Sequence, residues 1–176
     1  MKRRLFLTLT AAAMLPGLAL ADDPARLNVT LTTELAADPA TVWSAIGDFQ
    51  DMSWHPAVYA TTGTGGNSED ATRRLVLGQE GGPTIDETLD AYSAYQMSYS
   101  YQITEVRADV LPVAEYQSQI SVTPRDAGGS VVEWHGTFHR PEAATDLDDD
   151  AAIAAVTGVY QAGLDALEAR FGAAGS

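Results

Sequence analysis

Past Pro56 the chain alternates. The runs "AVYATTG", "ATRRLVLG", "TIDETLDAY", "QMSYSYQIT", "EYQSQISVTP" and "SVVEWHGTFHR" place apolar and polar residues by turns, and "GTGGNSED", "QEGGP", "SAY", "RADVLPVA" and "RDAGG" separate them. Six such runs divided by turn-forming residues predict six strands. The alternation stops near Arg140. From Asp148 onward Ile153, Val156, Tyr160, Leu164, Leu167 and Phe171 recur every three or four residues, the period of one long amphipathic helix. A sheet with one apolar face and a single helix with one apolar stripe must bury those surfaces against each other.

The residues before Pro56 complete the pattern. "LNVTLTTEL" sets Leu27, Val29, Leu31 and Leu35 against Asn28, Thr30, Thr32 and Glu34, a half-buried strand. "DPATVWSAIGDF" follows, with Asp38 as N-cap, Pro39 at the first helical position and Val42, Ile46 and Phe49 at helical spacing. A second, shorter helical turn is expected over "QDMSWHP", ending at His55 because a residue before proline is pushed out of the helical region. The predicted order is strand, two short helices, six strands, long helix.

At the N-terminus, "MKRRLFLTLTAAAMLPGLALA" has three basic residues, an apolar run and Ala19-Leu20-Ala21 as a small-residue cleavage site. It reads as a signal peptide over residues 1–21, too short and too clearly followed by a cleavage site to remain as a membrane anchor. "RRLFL" also resembles a twin-arginine export signal. The expected division is a tail over 22–26, one domain over 27–172 and a C-terminal tail over 173–176, with the mature protein periplasmic or secreted. Cleavage removes Lys2, Arg3 and Arg4, leaving seven of the 10 basic residues against 24 acidic ones, a net charge of −17 with no lysine. Such a surface repels nucleic acid and anionic lipid; it suits a salty exterior or a basic protein partner. The chain has no cysteine, which excludes disulfides, thiolate nucleophiles and zinc–cysteine sites.

The stretches "DPATVWSAIGDFQDMSWHPAV", "GGPTIDETLDAY", "YSYQI", "PVAEYQSQISVTP" and "GGSVVEWHGTFHRPE" together resemble the bacterial SRPBCC proteins, the START and Bet v 1-like superfamily that includes polyketide cyclases and plant hormone receptors. The resemblance covers nearly the whole mature chain. It implies an α+β helix-grip fold, in which a seven-stranded antiparallel sheet curls around the C-terminal helix and encloses an apolar cavity. The exported form is similar to small periplasmic proteins associated with methanol dehydrogenase.

Alternation then sorts the candidate residues. In "EYQSQISV", Tyr116, Ser118, Ile120 and Val122 share the inner face; in the last strand Val132, Trp134, Gly136 and Phe138 do, while His135 and His139 point outward. "TIDETLDAY" puts Glu87 beside Ile85 and Leu89, where a carboxylate is costly unless paired or hydrogen-bonded. Either it reaches solvent at a strand end, or it lines a cavity, as the resemblance to the hormone receptors implies. Trp54 and His55 stand where the short helices hand over to the second strand. They either seal that corner or serve the cavity mouth. In the second case His55 and Glu87 are polar anchors in a pocket completed by Trp54, Tyr99, Tyr116, Ser118, Trp134, Phe138, Val156 and Tyr160, a few polar groups among apolar ones.

Other constellations lack required parts. His135 and His139 are four residues apart on a strand, roughly 13 Å, too far to share one ion with Glu133. "TDLDDDA" lacks the glycine and glutamate of a calcium-binding loop, and its aspartates suit a helix start. "GTGG" and "QEGG" have no following lysine, and no G-x-S-x-G elbow occurs. No metal or cofactor is expected. The reading is an exported protein binding a small hydrophobic or aromatic molecule, with two alternatives: a cyclase or dehydratase using His55 and Glu87 as acid and base, or an accessory to a periplasmic redox enzyme.

Overall fold

A computed structural model describes residues 25–175. The export signal expected over residues 1–21 lies outside the described residues. Strand β1 (Leu27–Leu35) leads into helix α1 (Pro39–Ile46), then come β2 (Val58–Thr64), β3 (Thr72–Leu77), β4 (Thr84–Ser93), β5 (Ser98–Val106), β6 (Ala114–Pro124), β7 (Ser130–His139) and the long helix α2 (Asp149–Phe171). The seven strands form one antiparallel sheet in the order β1-β7-β6-β5-β4-β3-β2. The first strand crosses to pair with the last, Leu31 opposite Trp134, and the remainder is a meander of hairpins. This is the α+β helix-grip architecture that the resemblance to the SRPBCC superfamily implies.

Both helices start as their sequences dictate. The Asp38 side chain accepts from the Thr41 amide at 3.0 Å and Pro39 needs no donor partner at the first helical position. Asp148 caps α2 from the Ala151 amide at 2.8 Å, with Asp149 and Asp150 in the first turn where the helix dipole favours negative charge. One face of α2, through Ala152, Val156, Tyr160, Gly163, Leu164 and Leu167, is buried. After Phe171 the chain turns back onto β1, where Ala173 bridges Leu35.

The second helical turn expected over "QDMSWHP" is absent. Residues 48–57 run as consecutive turns, closed by Asp51 N–H to Asp48 C=O, His55 N–H to Met52 C=O and Val58 N–H to His55 C=O, each at 3.0 Å. The aspartates are the cause. The Asp48 carboxylate accepts from the Gln50 amide at 2.9 Å and the Asp51 carboxylate from the Ser53 amide at 2.8 Å, side-chain turns that compete with a helical ladder.

Candidate functional site

The site begins with a pair of charges inside the sheet. On β3 the alternation places Arg73 and Leu75 inward, and across the β3–β4 hairpin Arg73 lies opposite Glu87. Arg73 is 2 % exposed and Glu87 5 %, and Arg73 Nε donates to Glu87 Oε2 at 2.5 Å. Arg73 Nη1 donates to the Phe49 carbonyl at 2.9 Å, and the Phe49 ring lies 4.2 Å below the guanidinium. Nη2 has no partner among the described residues. Burial pushes the Glu87 carboxyl above its ordinary range against the pull of Arg73. Burial also works against the charge on Arg73, but Glu87 and the tyrosines Tyr99 and Tyr101 outweigh it and hold the proton. A guanidinium does not give up its proton, so the buried pair is neutral overall only with Glu87 ionised.

On the other side of the sheet's interior, tyrosines and a tryptophan share a hydrogen-bond network with Ser118. Ser118 Oγ donates to the His135 carbonyl at 2.8 Å and lies 3.0 Å from Tyr160 Oη, which in turn meets Tyr116 Oη at 2.6 Å. Trp134 Nε1 donates to both Ser118 Oγ at 3.0 Å and Tyr101 Oη at 3.1 Å. Trp134 stacks on Tyr160 with ring centroids 4.4 Å apart. Burial pushes Tyr160 up to about 12 and raises Tyr101 and Tyr116 well above the usual phenol range, so the network holds its protons.

His55 faces this network from the turns before β2. It is 3 % exposed, edge-on to Trp134, with its Nδ1 accepting from the Ala57 amide at 3.2 Å and its Nε2 donating to the Val159 carbonyl of α2 at 2.9 Å. These partners fix the neutral imidazole with its proton on Nε2. The approach needs Gly163, where an added Cβ would stand 2.8 Å from both His55 Cδ2 and Trp134 Cζ3. Burial lowers the His55 pKa, and the Val159 carbonyl only partly restores it.

A base held neutral in the fold stabilises it fully above its unfolded pKa of 6.5, and that contribution is lost as pH falls from 6.5 through the lower folded value. Wild type should therefore lose stability relative to His55→Gln over that interval, by at most about 1.4 kcal/mol per pH unit. Urea denaturation of both proteins between neutral and acidic pH checks this, and a pH-independent difference would refute it.

Between these groups lies an apolar cavity of about 70 Å³. Its floor is His55, Glu87, Tyr101, Tyr116 and Trp134, all buried, and its rim includes the half-buried Val58, Leu77 and Val159. The volume is below the roughly 150 Å³ that admits a benzene ring. Among the residues singled out from sequence, His55, Glu87, Tyr116 and Trp134 border this space. The other six are buried nearby without lining it. Trp54 packs behind Trp134 at 5.5 Å, away from the mouth, and its Nε1 has no partner among the described residues. Tyr99 packs on Phe49 and Trp43, Phe138 on Tyr116, and Ser118 and Tyr160 belong to the hydrogen-bond network. Val156 lies in the buried face of α2. His135 and His139 meet Thr30 Oγ1 and the Ala25 carbonyl on the outer side.

Sequence reasoning missed Arg73 and Tyr101. Both carried a signal. Arg73 and Arg74 face Asp86 and Glu87 symmetrically about the "QEGGP" turn, which sets one ion pair inside and the Arg74–Asp86 pair outside. Tyr101 sits two residues from Tyr99 on the same strand face.

Comparison with known proteins agrees with this architecture. The family model described as polyketide cyclase/dehydrase and lipid transport matches residues 26–172. Among solved structures, the protein XoxI from Bacillus cereus is 32 % identical with a TM-score of 0.71, over 82 % of this chain and 94 % of that one. A Bacillus thuringiensis protein is 31 % identical with a TM-score of 0.72, over 82 % and 98 % of the two chains. A protein from Nitrosospira multiformis is 27 % identical with a TM-score of 0.68, over 82 % and 96 %. No curated protein matches the chain. With nearly all of its described length covered by that model, the chain belongs to the polyketide cyclase/dehydrase and lipid transport family, within the SRPBCC superfamily.

Proposed function

We propose that this is an exported binding protein that takes a small, largely apolar molecule into the space between sheet and α2. The observation that carries the reading is the cavity itself, apolar in its walls and bordered by one buried carboxylate, Glu87, and two buried tyrosines, Tyr101 and Tyr116. Such a composition orients a ligand by a few polar contacts and holds it by the rest. A ligand the size of an aromatic ring fits only with its far end at the rim, past Val58, Leu77 and Val159. The family description, which pairs cyclases with lipid transport, supports binding and chemistry alike.

The side chains favour binding. An acid–base mechanism needs an acid and a base that can both exchange protons with the ligand, yet both His55 nitrogens are engaged, which leaves Glu87 without its proposed partner. Cyclohexanol, which neither absorbs nor emits with tryptophan, should change the protein's tryptophan emission on titration with saturation at roughly one molecule per chain, and Leu77→Phe, which narrows the rim, should weaken the response. A linear response in wild type would remove the site. Turnover of a polyketide-like substrate by wild type, lost in His55→Gln, would establish the cyclase reading in its place.

A second role, docking on a basic periplasmic partner, is supported by the charge of −17 left after cleavage, with 24 acidic residues in the chain. Such docking weakens steeply as salt rises.

A further inference from the structure

Three polar groups around the Arg73–Glu87 pair have unused hydrogen-bonding capacity. Glu87 Oε2 is taken by Arg73 Nε, and Oε1 accepts from no described protein donor. Arg73 Nη2 is buried without a partner. In a planar guanidinium one Nη2 hydrogen points to the same side as the Nε hydrogen, so this donor lies along the edge that meets Glu87. Tyr101 Oη accepts from Trp134 Nε1, and its own hydrogen has no acceptor among the described residues. Of these, the Glu87 acceptor and the Tyr101 donor border the cavity, while Arg73 stands behind Glu87 and does not line it. Buried groups of this kind are costly to leave unpaired.

We infer that the ligand carries a hydroxyl group at its buried end: the site selects an alcohol with an apolar tail, entering head first. This rests on the binding reading above and specifies its ligand. A hydroxyl has one hydrogen to give and two lone pairs to receive, so it can donate to Glu87 Oε1 and accept from Tyr101, the two polar groups of this set that border the cavity. The other head groups fail by count or by charge. A carboxylate has nothing to donate and meets the Glu87 carboxylate. An ammonium has no lone pair with which to accept from Tyr101. A hydrocarbon leaves both groups unpaired. The cavity volume of about 70 Å³ holds roughly three non-hydrogen atoms at the density of benzene in its 150 Å³ pocket, so the tail of a longer alcohol runs out over the rim. The rim is suited to it, since Val58, Leu77 and Val159 are half-buried apolar residues.

The test is calorimetric titration of the purified protein with 1-hexanol, hexanoate, hexylamine and hexane, repeated on Tyr101→Phe. That variant keeps a partner for Trp134 Nε1 in Ser118 at 3.0 Å, and circular dichroism and urea denaturation confirm its fold. Hexanol should bind at least tenfold more tightly than the other three, and Tyr101→Phe should cut that preference about tenfold while leaving hexane unchanged. Hexane binding as tightly as hexanol, with Tyr101→Phe without effect, overturns the hydroxyl assignment and leaves the cavity as a purely apolar site. Tightest binding of hexanoate or hexylamine overturns it in favour of a charged head. If none of the four binds, the binding reading itself falls with it.

Discussion

Glu87→Gln lowers the free energy of unfolding by about 3–5 kcal/mol, because it leaves the Arg73 guanidinium as an uncompensated charge in the interior. The substitution conserves volume, so the loss is electrostatic. Arg73 has no other charged partner: what remains is one hydrogen bond to the Phe49 carbonyl and the faces of the Phe49, Tyr101 and Tyr99 rings. Removing both charges reverses the outcome. Arg73→Met combined with Glu87→Leu should return stability to that of wild type or above, as replaced buried ion pairs commonly do. Urea denaturation midpoints at constant slope measure both variants. A loss below about 1 kcal/mol for Glu87→Gln would mean that water reaches the pair.

The same variant bears on the site. Arg73 holds the Phe49 carbonyl, and the Phe49 amide donates to Asn67 Oδ1 at 2.8 Å, so the segment that carries Met52 and His55 to the cavity is fixed from both sides of one residue. Glu87→Gln therefore disturbs the cavity wall as well as its charge. It is a poor probe of ligand contact by itself, and for that reason Tyr101→Phe carries the ligand test.

How much of this could be read from the sequence depends on whether the cause was local. The strands were legible because alternation is a local property and the sheet has one wet face: Tyr116, Ser118, Ile120 and Val122 all fall inside, as their spacing requires. The α1 and α2 starts were legible because Asp38 and Asp148 cap through bonds only three residues long. The segment 48–57 was misread because two aspartates form their own turns, and helix and turn compete there for the same amides. Arg73 needed a non-local fact, the register that sets it against Glu87, and an arginine on an inner face argues against itself until that partner is known. The size of the cavity was not legible at all. It depends on how far Tyr101, Tyr116 and Trp134 fill the interior, and packing at that resolution is a property of the assembled rings.

Gly136 shows how closely the assembled rings depend on one missing methyl group. It lies on β7 opposite Ser118, and a Cβ there would fall inside contact distance of Tyr160 Oη and 3.2 Å from Tyr160 Cζ. Tyr160 cannot retreat easily, since it is buried and stacked on Trp134. Gly136→Ala should therefore destabilise the protein by about 3–5 kcal/mol, combining overpacking of about 1–3 kcal/mol with the loss of hydrogen bonds to Ser118 and Tyr116 at about 1 kcal/mol each. β propensity alone predicts the opposite sign, because glycine weakens a strand interior. A double-mutant cycle separates the two: Tyr160→Phe removes the obstructing oxygen, so Gly136→Ala in that background should cost at least about 1 kcal/mol less than in wild type. Gly158 on α2 is the control, for a Cβ there meets nothing within 4 Å, and Gly158→Ala should stabilise by about 0.8–1 kcal/mol through helix propensity. If Gly136→Ala is as harmless as Gly158→Ala, Tyr160 does not stand against β7, and the hydroxyl network behind Trp134 is not what holds that wall of the cavity.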